Sequence, residues 1–236
     1  MSVVQFEAVD RIFRSGGAEV GALVGVNLQA ERGELVVVMG ASGSGKTTLL
    51  SIAGGLDRAD RGRVTVLGEE LGRLSERQLA RMRLTAVGFV FQELNLLAEL
   101  TLEENVALPL EGAGTGRHAA RSAARAALAR VGLDGMGRRF PDEISGGQQQ
   151  RVAIARAVVG DRRLVLADEP TGSLDSETGV EIMKLLRTLC DNGATVLLST
   201  HNPANAEFAD RVVHLRDGRL ERIEERAAPA GREAAR

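Results

Sequence analysis

The stretch Gly40-Ala41-Ser42-Gly43-Ser44-Gly45-Lys46-Thr47 constrains this chain more than any other. It lies between an unbroken apolar run, Leu35-Val36-Val37-Val38-Met39, and a segment with helical character reaching Leu56. A continuous apolar run of that kind reads as a strand buried on both faces, the mark of a parallel sheet. The spacing G-x-x-x-x-G-K-[ST] is met at every fixed position. Its glycines let the backbone wrap until successive N–H groups point inward as an anion nest, and the helix that follows adds the positive end of its dipole. Lys46 brings a compact cation to the terminal phosphates of a ligand. Thr47 offers a hydroxyl to Mg2+, and Thr48 beside it joins the residues counted toward the ligand. Lys46 and Lys184 are the only lysines in the chain, so a lysine at the one place the motif demands it carries weight.

A second apolar run, Leu164-Val165-Leu166-Ala167, ends in Asp168-Glu169. A carboxylate at the C-terminal end of a buried strand meets ligands at the edge of the sheet. Taken alone, such a pair after a strand is more often a turn or a helix cap. Beside a phosphate loop, Asp168 becomes a Mg2+ holder, direct or through water, and Glu169 a general base that aligns an attacking water. These two signals together describe a P-loop NTPase.

The rest of the chain fits that frame. Val3–Arg14 and Ala22–Leu28 alternate about a Ser15-Gly16-Gly17 turn, which predicts an antiparallel hairpin. Short strands are expected at Arg63–Leu67, Val87–Phe91, Thr195–Ser199 and Val212–Leu215. Between about Glu93 and Gly160 the pattern is helical throughout, with an Ala/Arg-rich helix at Arg117–Val131. Ser75/Gln78 and Thr101/Glu104 have the spacing of capping boxes. Strands alternating with helices imply a parallel α/β sheet, and the helical stretch divides its sequence in two. The tail Ala227–Arg236 is expected to fray.

The family signal comes from Ile144-Ser145-Gly146-Gly147-Gln148 with Gln149-Gln150-Arg151. Locally, Ser145 and Gln148 would form a capping box on the next helix. The stretch also resembles the signature motif of ABC ATPases, with Ile144 where Leu is usual, a volume-conserving exchange. Other motifs of that family then fall in order. Gln92 matches its Q-loop glutamine, Ser173-Leu174-Asp175 its D-loop and His201 its switch histidine, followed here by Asn202 where Asp is common. Phe13 stands where the family places an aromatic on adenine. His118 and His214 have no such support and are read as structural.

That resemblance covers about Val3 to Ile223 and implies a RecA-like α/β core (about 1–92 and 161–226), an N-terminal antiparallel β subdomain and an inserted α-helical subdomain (about 93–160). It implies an ATPase that uses ATP and Mg2+, with Gln92 sensing metal and γ-phosphate and His201 contacting the γ-phosphate. It further implies a head-to-tail homodimer in which Ser145, Gly146, Gly147 and Gln148 face the nucleotide held by the other copy. The partner would be a separately encoded membrane permease at the cytoplasmic face of the plasma membrane. Phe89–Leu97, Thr101–Val106 and Ser145–Arg151 look like the macrolide-exporter and lipoprotein-release branch. A docking groove for the permease is expected along Gln92–Leu110, on an exposed subset of Leu94, Leu96, Leu97, Leu100 and Leu102.

Composition narrows the alternatives. A formal net charge of −2 supplies no basic field for nucleic acid, and no nucleic-acid partner is expected. The interval between Lys46 and Ser145 leaves no room for the long coiled coil of DNA-repair ABC ATPases. No apolar run approaches the roughly 18 residues of a membrane span. The N-terminus lacks the pattern of a signal peptide. The lone Cys190 fits a reducing cytosol, as a small buried hydrophobe.

Overall fold

The structure is a computed structural model that describes residues 2–15, 18–160 and 162–226. The expected turn at Gly16-Gly17 and the expected frayed tail lie outside the described residues. β1 (Ser2–Ser15) and β2 (Ala18–Glu31) form the predicted hairpin, with Phe6 opposite Leu28 and Phe13 opposite Val20. β3 (Leu35–Met39) leads through the glycine loop into α1 (Lys46–Ala53). The helix stops short of Leu56, with Gly54 as its C-cap. β4 (Arg61–Val66) and β5 (Glu69–Glu70) follow, then α2 (Glu76–Thr85) and β6 (Val87–Val90). Three helices come next: α3 (Leu102–Gly112), α4 (Arg117–Arg130) and α5 (Gly146–Val158). β7 (Leu164–Asp168), α6 (Ser176–Asp191), β8 (Thr195–Thr200), β9 (Arg211–Arg216) and β10 (Arg219–Glu225) complete the described chain.

The strands make two sheets. One has the order β2-β1-β4-β5, and the other has β10-β9-β3-β8-β7-β6. In the second, β6, β7, β8, β3 and β9 run parallel, and β10 returns antiparallel to β9. β3 therefore sits in the middle with a neighbour on each side, which explains its lack of alternation. Its residues divide by face: Leu35 and Val37 enter a core shared with α3–α6, while Val36 and Val38 enter one shared with α1 and the antiparallel sheet. Val165 and Leu164 part in the same way on β7. One sheet thus organises two cores from aliphatic side chains, and burying each Leu or Ile contributes about 1.5–3 kcal/mol.

Helix starts follow local chemistry. Ser75/Gln78, Thr101/Glu104 and Ser145/Gln148 all close their capping boxes. Asn105, fully buried on α3, ties down the preceding loop by donating to the carbonyls of Leu97, Leu100 and Thr101 and accepting from the Leu97 N–H. α5 lies close against β6 at Gly88, where a Cβ would stand 1.9 Å from the Ala157 carbonyl oxygen. The polar strand β10 escapes a hydrophobic-pattern reading. Its signal is the Asp217-Gly218 turn, with φ 47 and 74, typical of tight hairpins.

Candidate functional site

The glycine loop, the ends of β7 and β8 and the tip of the first hairpin surround one open cleft of about 910 Å³. Phe13, Ala41, Ser42, Gly43, Gly45, Lys46, Thr47 and Thr48 line it, together with Gln92, Asp168, Glu169 and His201. Gly40 and Ser44, also in the loop, are not among the lining residues. A Cβ on Gly45, which holds φ 104, would meet the Ala22 carbonyl oxygen at 2.2 Å. The loop is therefore pressed against β2 at a position that only glycine tolerates.

Lys46 is 7% exposed, and its Nζ donates to the carbonyls of Gly40 (2.8 Å) and Ala41 (3.1 Å). It lies 3.8 Å from Glu169 Oε1. The Ser199 hydroxyl donates to Asp168 Oδ1. Glu169 takes a left-handed backbone at φ 47, a conformation that costs a non-glycine residue about 1–3 kcal/mol. Its N–H donates to the Ser199 carbonyl at 3.0 Å, and its Oε1 is 3.0 Å from His201 Nδ1. Two buried polar atoms at this place, Ser44 Oγ and Glu169 Oε2, have no hydrogen-bond partner. Phe13 is 43% exposed, and the Arg11 guanidinium lies 4.6 Å from its ring centroid.

Ser145, Gly146, Gly147 and Gln148 are not among the residues lining the cleft. They open α5 close to the first turn of α6, since a Cβ on Gly147 would meet Thr178 Cγ2 at 2.5 Å. Asp175 caps α6 from outside the cleft, accepting from the Thr178 N–H (3.0 Å) and hydroxyl (2.7 Å). The Thr178 backbone N–H, and next its hydroxyl, hold the Asp175 carboxyl below its ordinary range. Asn202, which follows His201, caps the turn Pro203–Phe208 by accepting from the Ala204 N–H at 3.0 Å.

Cleft residues outside the sequence motifs are Val20, Gly21, Ala22, Gly172 and Asp217. Only the hairpin's place in the fold brings most of them there. The leucines expected to form a docking surface separate. Leu102 is fully buried and Leu94 and Leu96 pack on the helical core, which removes Leu102 from any surface, while Leu97 is 47% exposed. Burial pushes the Cys190 thiol up to about 12, so it is an inert core residue.

The family model described as "ABC transporter" matches residues 23–172. The macrolide export ATP-binding/permease protein MacB of Chromobacterium violaceum is 47% identical over 98% of this chain, which spans 36% of that protein. An ABC transporter ATP-binding protein of Thermotoga maritima is 45% identical, with 97% of this chain and 98% of that one covered. Among solved structures, a dimeric ATP-binding cassette in a post-hydrolysis state with ADP and Pi superposes with a TM-score of 0.87 at 40% identity. The match covers 95% of this chain and 99% of that one. The fold and cleft define a P-loop ATPase. The chain belongs to the ABC transporter family and corresponds to its ATP-binding part. No helix among the described residues is long and apolar enough to cross a membrane.

Proposed function

We propose that this cassette hydrolyses Mg-ATP in the cleft around Lys46 and drives a membrane-spanning permease. The observation that carries it is the convergence of Lys46, Asp168, Glu169, Gln92 and His201 on one cleft beside two unpartnered polar atoms, Ser44 Oγ and Glu169 Oε2. In this reading the loop amides of residues 40–48 and Lys46 bind the phosphates, and Phe13 supports adenine. Glu169 takes the proton of the attacking water, and His201, 3.0 Å from Glu169, steadies it and reaches the γ-phosphate. Thr47, Asp168 and Gln92 offer the hard oxygen donors that suit Mg2+. Among the described residues no three acidic, His or Cys side chains form a metal cage, which fits a cation held largely by the substrate's phosphates. When bound, Mg2+ neutralises charge on those phosphates.

Ser145, Gly146, Gly147, Gln148 and Asp175 stand apart from the cleft of their own chain. We assign them to the cleft of a second copy, in a head-to-tail dimer with two ATP between its halves. Residues 93–160 act as the helical subdomain. The permease docks in the groove lined by Leu84, Val87, Phe89, Phe91, Leu108 and Pro109, at the cytoplasmic face of the membrane. The relatives' names favour an export-type permease. The test is ATP turnover by the purified chain with Mg2+ and with a chelator, alongside membrane association of a Leu108→Glu variant of unchanged circular dichroism. Expected are turnover lost on chelation and membrane association lost in the variant. Metal-independent turnover would overturn the site reading, and undiminished association the docking reading.

A further inference from the structure

Asn205, in the turn Pro203–Phe208, is only 4% exposed. Its amide nitrogen donates to Thr171 Oγ1 at 2.9 Å and to Thr200 Oγ1 at 3.2 Å. Both threonines are buried, and none of the three residues lines the nucleotide cleft. The two acceptors belong to different stretches of chain. Thr171 follows Glu169 across Pro170, and Thr200 ends β8 directly before His201. A side-chain amide has two N–H donors in one rigid plane, and here each of them holds one stretch.

The sheet does not hold these stretches by itself. The β7–β8 ladder ends at the pair Asp168 and Ser199, and both Glu169 and His201 lie past it. The Glu169 N–H still reaches the Ser199 carbonyl, but φ 47 takes the chain out of strand geometry there. A tight turn follows, closed by the Gly172 N–H on the Glu169 carbonyl at 3.0 Å. The His201 side chain is 68% exposed, so packing does little to fix its ring. The 3.0 Å contact between Glu169 Oε1 and His201 Nδ1 therefore depends on how the two loops sit against each other. The turn that carries Asn205 is itself anchored to the end of β8. Thr200 Oγ1 also accepts from the Asn202 N–H at 3.0 Å, and the Asn205 N–H donates to the Asn202 carbonyl at 3.2 Å. A buried amide is costly unless its hydrogen bonds are made. An apolar side chain of similar volume would fill the space without that cost, but it would not fix a direction.

We propose that Asn205 is a positioning residue of the hydrolytic site: it clamps the stretch bearing Glu169 to the stretch bearing His201 and keeps the base and the histidine in register. The proposal rests on the reading of Glu169 as the base and adds the group that holds it in place. Displacing a reacting group by about 1 Å can slow a reaction by roughly 100-fold. Because neither Asn205 nor its two partners lines the cleft, the chemical step slows without loss of nucleotide affinity when the clamp is removed.

The experiment compares the full chain with Asn205→Leu, which keeps the volume and removes the donors, and with Thr171→Val, which removes one acceptor and keeps the shape. Single-turnover phosphate release from Mg-ATP reads the chemical step, and calorimetric titration with Mg-ADP reads affinity. Each variant is expected to release phosphate roughly 10- to 100-fold more slowly with Mg-ADP affinity unchanged. The double variant is expected to be no slower than Asn205→Leu alone, because groups acting as one unit are not additive. Glu169→Gln is the control for the site itself. If it slows release while Asn205→Leu and Thr171→Val keep the wild-type rate, the clamp is overturned and the site reading stands. If Glu169→Gln also runs at the wild-type rate, both fall. Rate and Mg-ADP affinity declining in step, or losses that multiply in the double variant, show an amide that serves only the fold and overturn the clamp. Should circular dichroism show Asn205→Leu unfolded, Thr171→Val decides by the same rate and affinity criteria.

Discussion

Replacing Glu169 by Gln keeps the side chain's size and removes its charge and basicity. Glu169 Oε1 lies 3.8 Å from Lys46 Nζ. With an effective dielectric of about 20, that separation gives a gross attraction of roughly 4 kcal/mol. The gain is offset by the desolvation of a carboxylate that is 12% exposed and has one oxygen without a partner. Neutralising it should therefore change stability by only about 1 kcal/mol, or roughly 2–4 °C in Tm for a chain of this size. The chemistry loses far more. A positioned base contributes about 10²–10⁴-fold, and turnover should fall by that factor. Affinity for ATP should move the other way, because a negative charge competing for Lys46 is gone. The assays are single-turnover phosphate release, calorimetric titration with ATP, and size-exclusion of the ATP-loaded protein, which should run as a dimer. Turnover at the wild-type rate, or a Kd that weakens in step with turnover, would refute the reasoning.

Phe13→Ala should weaken ATP binding by about 1–3 kcal/mol, by analogy with base stacking on aromatic side chains, and leave inorganic triphosphate unaffected; equal losses for both ligands would exclude stacking. Gly88→Ala places a Cβ 1.9 Å from the Ala157 carbonyl oxygen and should cost about 1–3 kcal/mol or more as α5 is forced off β6. An unchanged denaturant midpoint would show that this contact does not bind the helix to the sheet. The Glu104 carboxyl is held below the ordinary carboxylate range, first by the Thr101 hydroxyl and then by the Thr101 backbone N–H. Because its folded pKa is depressed, its contribution is present above the unfolded value and is lost as pH falls through the folded one. Wild type should therefore lose its stability margin over Glu104→Gln on acidification from about pH 6 to below about pH 4, and a constant margin would contradict the assignment.

Much of this protein was legible before any fold was known, for a physical reason. Capping boxes at Ser75, Thr101 and Ser145 close within one turn of chain. The unbroken apolar run of β3 reports its burial on both faces, and the glycine loop's spacing reports a phosphate-sized nest. These signals are local, so sequence carries them whole. The tertiary structure decided what depends on distant segments meeting. It alone sets β3 between β8 and β9, turns Leu102 into the core while leaving Leu97 outside, and adds the polar strand β10 at the sheet's edge. It brings Val20, Ala22 and Asp217 to the cleft, where the Gly218 N–H donates to the Ser44 carbonyl at 3.1 Å. It also brings Arg156 and Arg162 together, with Arg162 donating to the Arg156 carbonyl at 2.7 Å. Nothing in the spacing of those residues predicts their neighbours, because packing across the sheet, rather than the chain between them, selects which surfaces touch.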